Sequence, residues 1–361
     1  MWTPPDLPPY VPPLGLSSGH LQTVVPALFR TVEGITYHRT RLELDDGDFL
    51  DLDRQPAAFS RLGAEAERGR TEAEQGRTEA DGPTSDRAVL ISHGLEGSSQ
   101  RAYVRGMVRG FARRGWDAIA WNHRGCSGEP NRLLRAYHSG ATEDLAAVVA
   151  WARGERYRQI GLVGFSLGGN VTLKYVGDEG EALAPEIVGA VGISVPVDLA
   201  GSAEVMEAWD RRLYMARFLR TLAAKAEDKA RRFPDAPDAS TVRQMTTFAE
   251  FDGQFTAPVH GFASAEDYWA RCSSLPVLPR IAIPTLLANA RNDPFLSPSC
   301  FPEAENPMVT LAAPASGGHV GFVGIPLGGE LWSETVAAVW LEGASAYASS
   351  SASVAAPPST A

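Results

Sequence analysis

Cysteine is scarce in this chain. Cys126, Cys272 and Cys300 are the only three in 361 residues, they stand far apart, and no C-x-x-C occurs. That argues against a disulfide framework and a cysteine zinc cage. Basic residues are in deficit: 33 Lys and Arg face 43 Asp and Glu, a net charge of −10. Nucleic-acid binders normally carry the opposite balance, so nucleic acid is not an expected partner. No run of about 18 apolar residues exists, so no integral membrane segment is expected. The first fifteen residues are proline-rich, with neither a basic start nor an apolar core, and do not read as a secretory leader. A cytoplasmic protein is the expectation. Phosphate-binding patterns are missing too. Gly161, Gly164, Gly168 and Gly169 do not space as G-x-G-x-x-G, and no Walker lysine is present.

What is present is enough apolar material for a sizeable core, 44 % of residues. Short apolar runs alternate with segments of helical spacing. Ala88–Ser92, Asp117–Trp121, Ile160–Gly164, Ile187–Val195, Pro284–Ala288 and Met308–Leu311 read as strands. Tyr103–Arg114, Thr142–Arg153, a helix starting near Asn170, and Glu330–Leu341 read as helices, with Thr142 a candidate N-cap. Continuous apolar strands separated by helices predict a mostly parallel sheet flanked by helices on both faces. Ile35–Leu44 and Phe49–Arg54 read as an antiparallel hairpin at the front edge, turned by Asp45-Asp46-Gly47. The expected organisation is a single domain over residues 1–342. An acidic insert at about 63–86, carrying a near-duplicate heptapeptide, and the Ala/Ser/Pro-rich stretch 343–361 are both expected to be disordered. Residues 198–274 break the alternation with helical, aromatic-bearing segments. They are expected to form a cap over the carboxyl edge of the sheet, where such folds place ligands.

Gly164-Phe165-Ser166-Leu167-Gly168-Gly169 fits G-x-S-x-G between an apolar strand and a helix, the context of a nucleophile elbow. The glycines leave room for a tight strand-to-helix turn. The serine oxygen then stands at a helix N-terminus, where developing negative charge is favoured. A serine nucleophile needs a base and an orienting acid, in the chain order Ser, Asp or Glu, His. Only His260 and His319 follow Ser166. His319 lies in Gly317-Gly318-His319-Val320-Gly321, just past the last strand, and is the expected base; His260 falls in the cap. Asp293, after the fifth parallel strand, is the expected acid, with Asp198 the runner-up. The oxyanion donors are expected to be the N–H groups of Leu167 and of Leu95, in His93-Gly94-Leu95-Glu96-Gly97 after the first parallel strand. His93 is expected to be structural, Asn122–Gly128 a bracing loop, and Gly19-His20-Leu21-Gln22-Thr23 a loop anchor. Cys126 has no histidine and acid partners in sequence order. The charge-rich run Arg211–Arg232 reads as a solvated face, with contact to anionic lipid headgroups a minority alternative.

These motifs, taken together with Asn292-Asp293-Pro294-Phe295 and Gly318-His319-Val320-Gly321-Phe322, resemble the YheT-like α/β-hydrolases, relatives of the abhydrolase-domain lipid esterases. The likeness spans about residues 15–342. It implies an α/β-hydrolase fold and a carboxylic-ester hydrolase whose triad maps onto Ser166, Asp293 and His319, needing no metal or organic cofactor. The expected partner is a small ester, short- to medium-chain or lipid-like. Two other readings stand beside hydrolysis. One is acyl transfer to an alcohol on the same triad; the other is a non-catalytic ligand-binding protein on this scaffold. Oligomeric state is not legible.

Overall fold

The computed structural model describes residues 2–58, 82–303 and 305–355. Eight strands form one sheet: β1 (His38–Glu43), β2 (Phe49–Gln55), β3 (Arg87–Ser92), β4 (Asp117–Asn122), β5 (Gln159–Phe165), β6 (Ile187–Ile193), β7 (Thr285–Ala288) and β8 (Val309–Ala312). Their spatial order is β1-β2-β4-β3-β5-β6-β7-β8. β2 runs antiparallel to β1 and β4, and every other neighbouring pair is parallel. Strands β3 to β7 are buried on both faces, which is why they read as unbroken apolar runs, while the edge strand β8 is only partly buried.

Alternate residues serve opposite layers. Val89, Ile91, Val163, Phe165 and Val191 pack with Met107, Phe111 and Trp340, from α2 (Ala102–Ala112) and α10 (Trp332–Ala355). Leu90, Leu162 and Ala190 face Leu145, Val148, Val171 and Leu173, from α3 (Thr142–Gly154) and α4 (Leu167–Glu179). Helix α1 (Gly19–Phe29) lies against the loops at one sheet edge. The cap fills the β6-to-β7 connection with α5 (Leu199–Met206), α6 (Arg212–Arg232), α7 (Phe248–Phe251), α8 (Ala257–His260) and α9 (Ala265–Cys272). It has its own small core of Met206, Met215, Leu219, Phe251 and Phe255.

Three local expectations are corrected. Thr142 does not cap α3. The helix already includes it, and Ala141 occupies the N-cap without a side-chain bond. Asp144 instead turns inward to the buried Arg124, accepting at 2.7 Å from Nη2. The tail does not become irregular at Gly343, because α10 continues to Ala355. Ala344 is fully buried, Tyr347 packs edge-on against Trp2 with ring centroids 5.5 Å apart, and Ser345 donates to Gln159 at 2.5 Å. Alanine's high helix propensity sustains the extension. The acidic repeat over 63–81 lies outside the described residues. Its expected continuation to Asp86 is anchored: Thr84 N–H donates to Asp117 at 2.8 Å, and Ser85 to the Gly115 carbonyl at 2.8 Å.

Candidate active site

Ser166 follows β5 directly, with φ 51° and ψ −119°. This region is sparsely populated for a residue bearing a Cβ and costs about 1–3 kcal/mol. Two bonds hold it: Ser166 N–H donates to the Ile193 carbonyl at 2.9 Å, and the Ser166 carbonyl accepts from Asn170 N–H at 3.0 Å. The turn closes only because Gly164 and Gly168 are bare. A Cβ on Gly164 would run into the Gly168 carbonyl, and one on Gly168 into the carbonyls of Ser92 and His93.

The three residues singled out from the chain order meet here. Ser166 Oγ lies 2.9 Å from His319 Nε2. His319 Nδ1 lies 2.9 Å and 3.1 Å from the two carboxylate oxygens of Asp293, whose side chain is fully buried. An ionised carboxylate only accepts, so Nδ1 carries the proton and Nε2 is left to accept from the Ser166 hydroxyl. Asp293 is itself fixed by the Phe295 N–H at 2.9 Å.

The histidine loop is strained and clamped. Val320 and Phe322 have φ of 58° and 40°. His319 N–H donates to Thr23 Oγ1 at 2.9 Å, and Val320 N–H to Ser194 Oγ at 2.8 Å. Gly318 N–H donates to Asn292 Oδ1 at 3.0 Å. The Gly19–Thr23 cluster therefore anchors the loop carrying His319.

Leu95 and Leu167 line the same cavity as Ser166 and His319. The amides on either side of Leu95 are occupied: Gly94 N–H donates to Tyr103 Oη and Glu96 N–H to Tyr137 Oη, both at 3.0 Å. His93 is buried beneath this loop. Its Nδ1 lies 2.8 Å from the Gly94 carbonyl, and its Nε2 accepts from His123 N–H at 3.2 Å. Asn122–Gly128 braces the site from below through Arg124, which binds Asp46, Asp48 and Asp144.

Other candidates fall elsewhere. Asp198 caps α5 by accepting from Gly201 N–H at 3.1 Å, and also accepts from Ser299 at 2.5 Å. His260 lines the cavity but packs at a tilt against His138, ring centroids 4.4 Å apart. Cys126 sits 3.2 Å from the Lys225 ammonium, and burial pushes its thiol up to about 11, against ready thiolate formation. Sequence reasoning missed Tyr103 and Tyr137. It also missed Asn170, whose amide ties the Ser139 and Cys272 carbonyls at 2.8 Å each and accepts from Ser274 N–H. Asn170 follows the serine motif directly, which is a usable signal; the two tyrosines carry none.

The cavity above Ser166 has a volume of about 430 Å³. Its walls include Phe218, Leu222, Phe248, Phe251, Phe255 and Phe295. The Phe295 ring also lies 4.2 Å from the His319 ring, centroid to centroid.

Burial holds four imidazoles neutral around this site. His93 and His138 are depressed well below the usual histidine value, and His123 and His260 fall to about 4. Unfolding lets each take a proton below about pH 6.5. Stability from these groups is therefore complete above that pH and is lost as pH falls toward 4, by up to about 3 kcal/mol for His123. Asp252, raised to about 6 by burial, opposes the trend between pH 4 and 6, because there the folded state holds the extra proton. The expected result in denaturant titrations is a shallower acid limb for His123→Gln than for the wild type. Identical limbs would mean His123 is not neutral in the fold.

A family model described as the alpha/beta hydrolase fold matches residues 87–323. The chain belongs to the α/β-hydrolase family, in its YheT-like branch. It is 36% identical over 338 residues to the YheT protein of Escherichia coli (strain K12), named as a candidate esterase, with 92% of each chain covered. It is 28% identical over 246 residues to the monoacylglycerol lipase of Saccharomyces cerevisiae, covering 65% of this chain and 54% of that protein. Among solved structures, the esterase Pf2001 of Pyrococcus furiosus is similar in fold, with a TM-score of 0.53 at 17% identity, covering 94% of this chain and all of that one.

Proposed function

We propose that this protein is a serine carboxylic-ester hydrolase that works through an acyl-serine intermediate. The observation that carries the reading is the unbroken relay from Ser166 Oγ through His319 to the buried Asp293, at the floor of an apolar cavity. Ser166 attacks the ester carbonyl as His319 Nε2 takes its proton. Asp293 orients the ring and stabilises the imidazolium. The N–H groups of Leu95 and Leu167 receive the oxyanion, each worth about 3 kcal/mol in the transition state. His319 then protonates the departing alcohol, and water cleaves the acyl-serine with the same base. The phenylalanine-lined walls suit an acyl chain, and the cavity volume lies within the roughly 300–1,000 Å³ usual for small-molecule sites. The names of the relatives, esterase and lipase among them, support the same reading.

The test is intact-mass analysis after fluorophosphonate treatment, alongside turnover of p-nitrophenyl esters of graded chain length. A single adduct on Ser166 is expected, with turnover peaking at short to medium acyl chains. Folded protein that gains no adduct and cleaves no ester would sink the proposal and leave a binding role on this scaffold.

A further inference from the structure

The large apolar side chains left on the surface are not scattered. Six of the eight exposed among the described residues are Leu14, Leu21, Leu28, Phe29, Trp209 and Leu213. Leu14 precedes α1 and the next three lie on it, Leu21 and Leu28 seven residues apart on the face opposite the buried Gln22 and Pro26. Trp209 and Leu213 flank the start of α6 and are 81 % and 85 % exposed. The two groups adjoin: His20 of α1 lies 3.3 Å from Asp210 and 3.2 Å from the Tyr214 hydroxyl. Exposed apolar residues concentrated in this way mark an interaction surface.

The charge on this face is the second observation. Arg212, Arg217 and Arg220 are exposed on α6 and have no carboxylate partner among the described residues. Leu213, Arg217 and Arg220 follow one outward stripe, while Phe218, Leu222 and Lys225 of the same helix line the cavity. Unpaired cations beside exposed Trp and Leu stand out on a chain of net charge −10.

We propose that this face docks onto an anionic phospholipid surface, Trp209 and Leu213 entering the interface while Arg212, Arg217 and Arg220 meet headgroup phosphates. The chemistry matches an interfacial helix, apolar anchors with arginines alongside. A second copy of the chain is a poorer fit, because a two-fold contact would set this arginine cluster against itself. The acidic remainder of the molecule is repelled by the same surface, so the cationic face leads the approach. No helix among the described residues is long and apolar enough to cross a membrane, so the contact is peripheral. Docking brings the helix that walls the cavity against lipid. It does not depend on the chemistry of Ser166, and its test reads binding.

The test is co-sedimentation of the full chain with vesicles of phosphatidylcholine alone and of phosphatidylcholine with phosphatidylglycerol. Binding to the anionic vesicles is expected, weakening as salt rises. Trp209→Ser with Leu213→Ser should cut binding by at least about tenfold. Arg212→Glu, Arg217→Glu and Arg220→Glu together should remove the preference for anionic vesicles. Both variants alter exposed positions outside the cavity, so each should keep the wild-type melting temperature and its turnover of a soluble ester. Wild-type protein that stays in the supernatant with both vesicle types would overturn the proposal, as would variants that bind like wild type. A wild-type dimer dissolved by Trp209→Ser with Leu213→Ser, with vesicles unbound, would assign the face to self-association instead.

Discussion

Replacing Ser166 with alanine is expected to lower ester turnover by about a millionfold and leave the fold intact. The first half follows from what Oγ does. It is the only atom lost, it sits 2.9 Å from His319 Nε2, and no other hydroxyl bonds to that nitrogen among the described residues. A water molecule in its place would need to be positioned as well as a covalently held oxygen, and effective molarity argues that it would not be. The second half follows from the elbow. Alanine keeps the Cβ, so the unusual φ and ψ are no worse, and the backbone bonds to Ile193 and Asn170 remain. The melting temperature should stay level or rise slightly, as is common where a functional residue is held under strain. The check is turnover of a soluble p-nitrophenyl ester beside a thermal melt. Turnover within a few-fold of wild type would remove Ser166 from the mechanism.

The elbow was legible because its constraints are local. Gly164, Ser166 and Gly168 must be close in sequence to make one turn, and the strand before and helix after them are short-range patterns. Strand positions came through to within a few residues for a related reason: burial on both faces writes itself as an apolar run. The chain order Ser, Asp, His then narrowed the base to two histidines. What stayed hidden depends on contacts between distant residues. The Gly19–Thr23 cluster reads as a loop anchor, but which loop it holds is hidden, because Thr23 lies 296 positions from the His319 amide that it receives. The same holds for Tyr103 and Tyr137, which occupy the amides flanking Leu95. The continuation of α10 is masked because Ala and Ser content resembles a loose tail. The deciding partner of Tyr347 is Trp2, at the other end of the chain. The role of Asp144 is set by Arg124, a buried charge that periodicity cannot foresee.

Asp293→Asn is expected to cost about four orders of magnitude in kcat, with KM nearly unchanged. The geometry dictates the mode of failure. The Phe295 N–H needs an acceptor, so the asparagine carbonyl oxygen settles there and its amide nitrogen faces His319 Nδ1. Two donors cannot share that contact, and the ring moves its proton to Nε2. Nε2 can then no longer accept from the Ser166 hydroxyl, although every heavy atom is nearly where it was. The loss is thus one of proton placement, and it falls on the chemical step rather than on substrate binding. Asp198→Asn is the control that separates the two acids considered from the sequence. Asparagine is as good an N-cap as aspartate, so α5 should keep its start and turnover should stay within a few-fold. If Asp198→Asn proved the more damaging of the two, the orienting carboxylate would have been placed after the wrong strand. A parallel loss in both would point instead to coupling through the cap, since Asp198 begins α5 and Phe295, two residues beyond Asp293, packs against Tyr214 and Phe218 of α6.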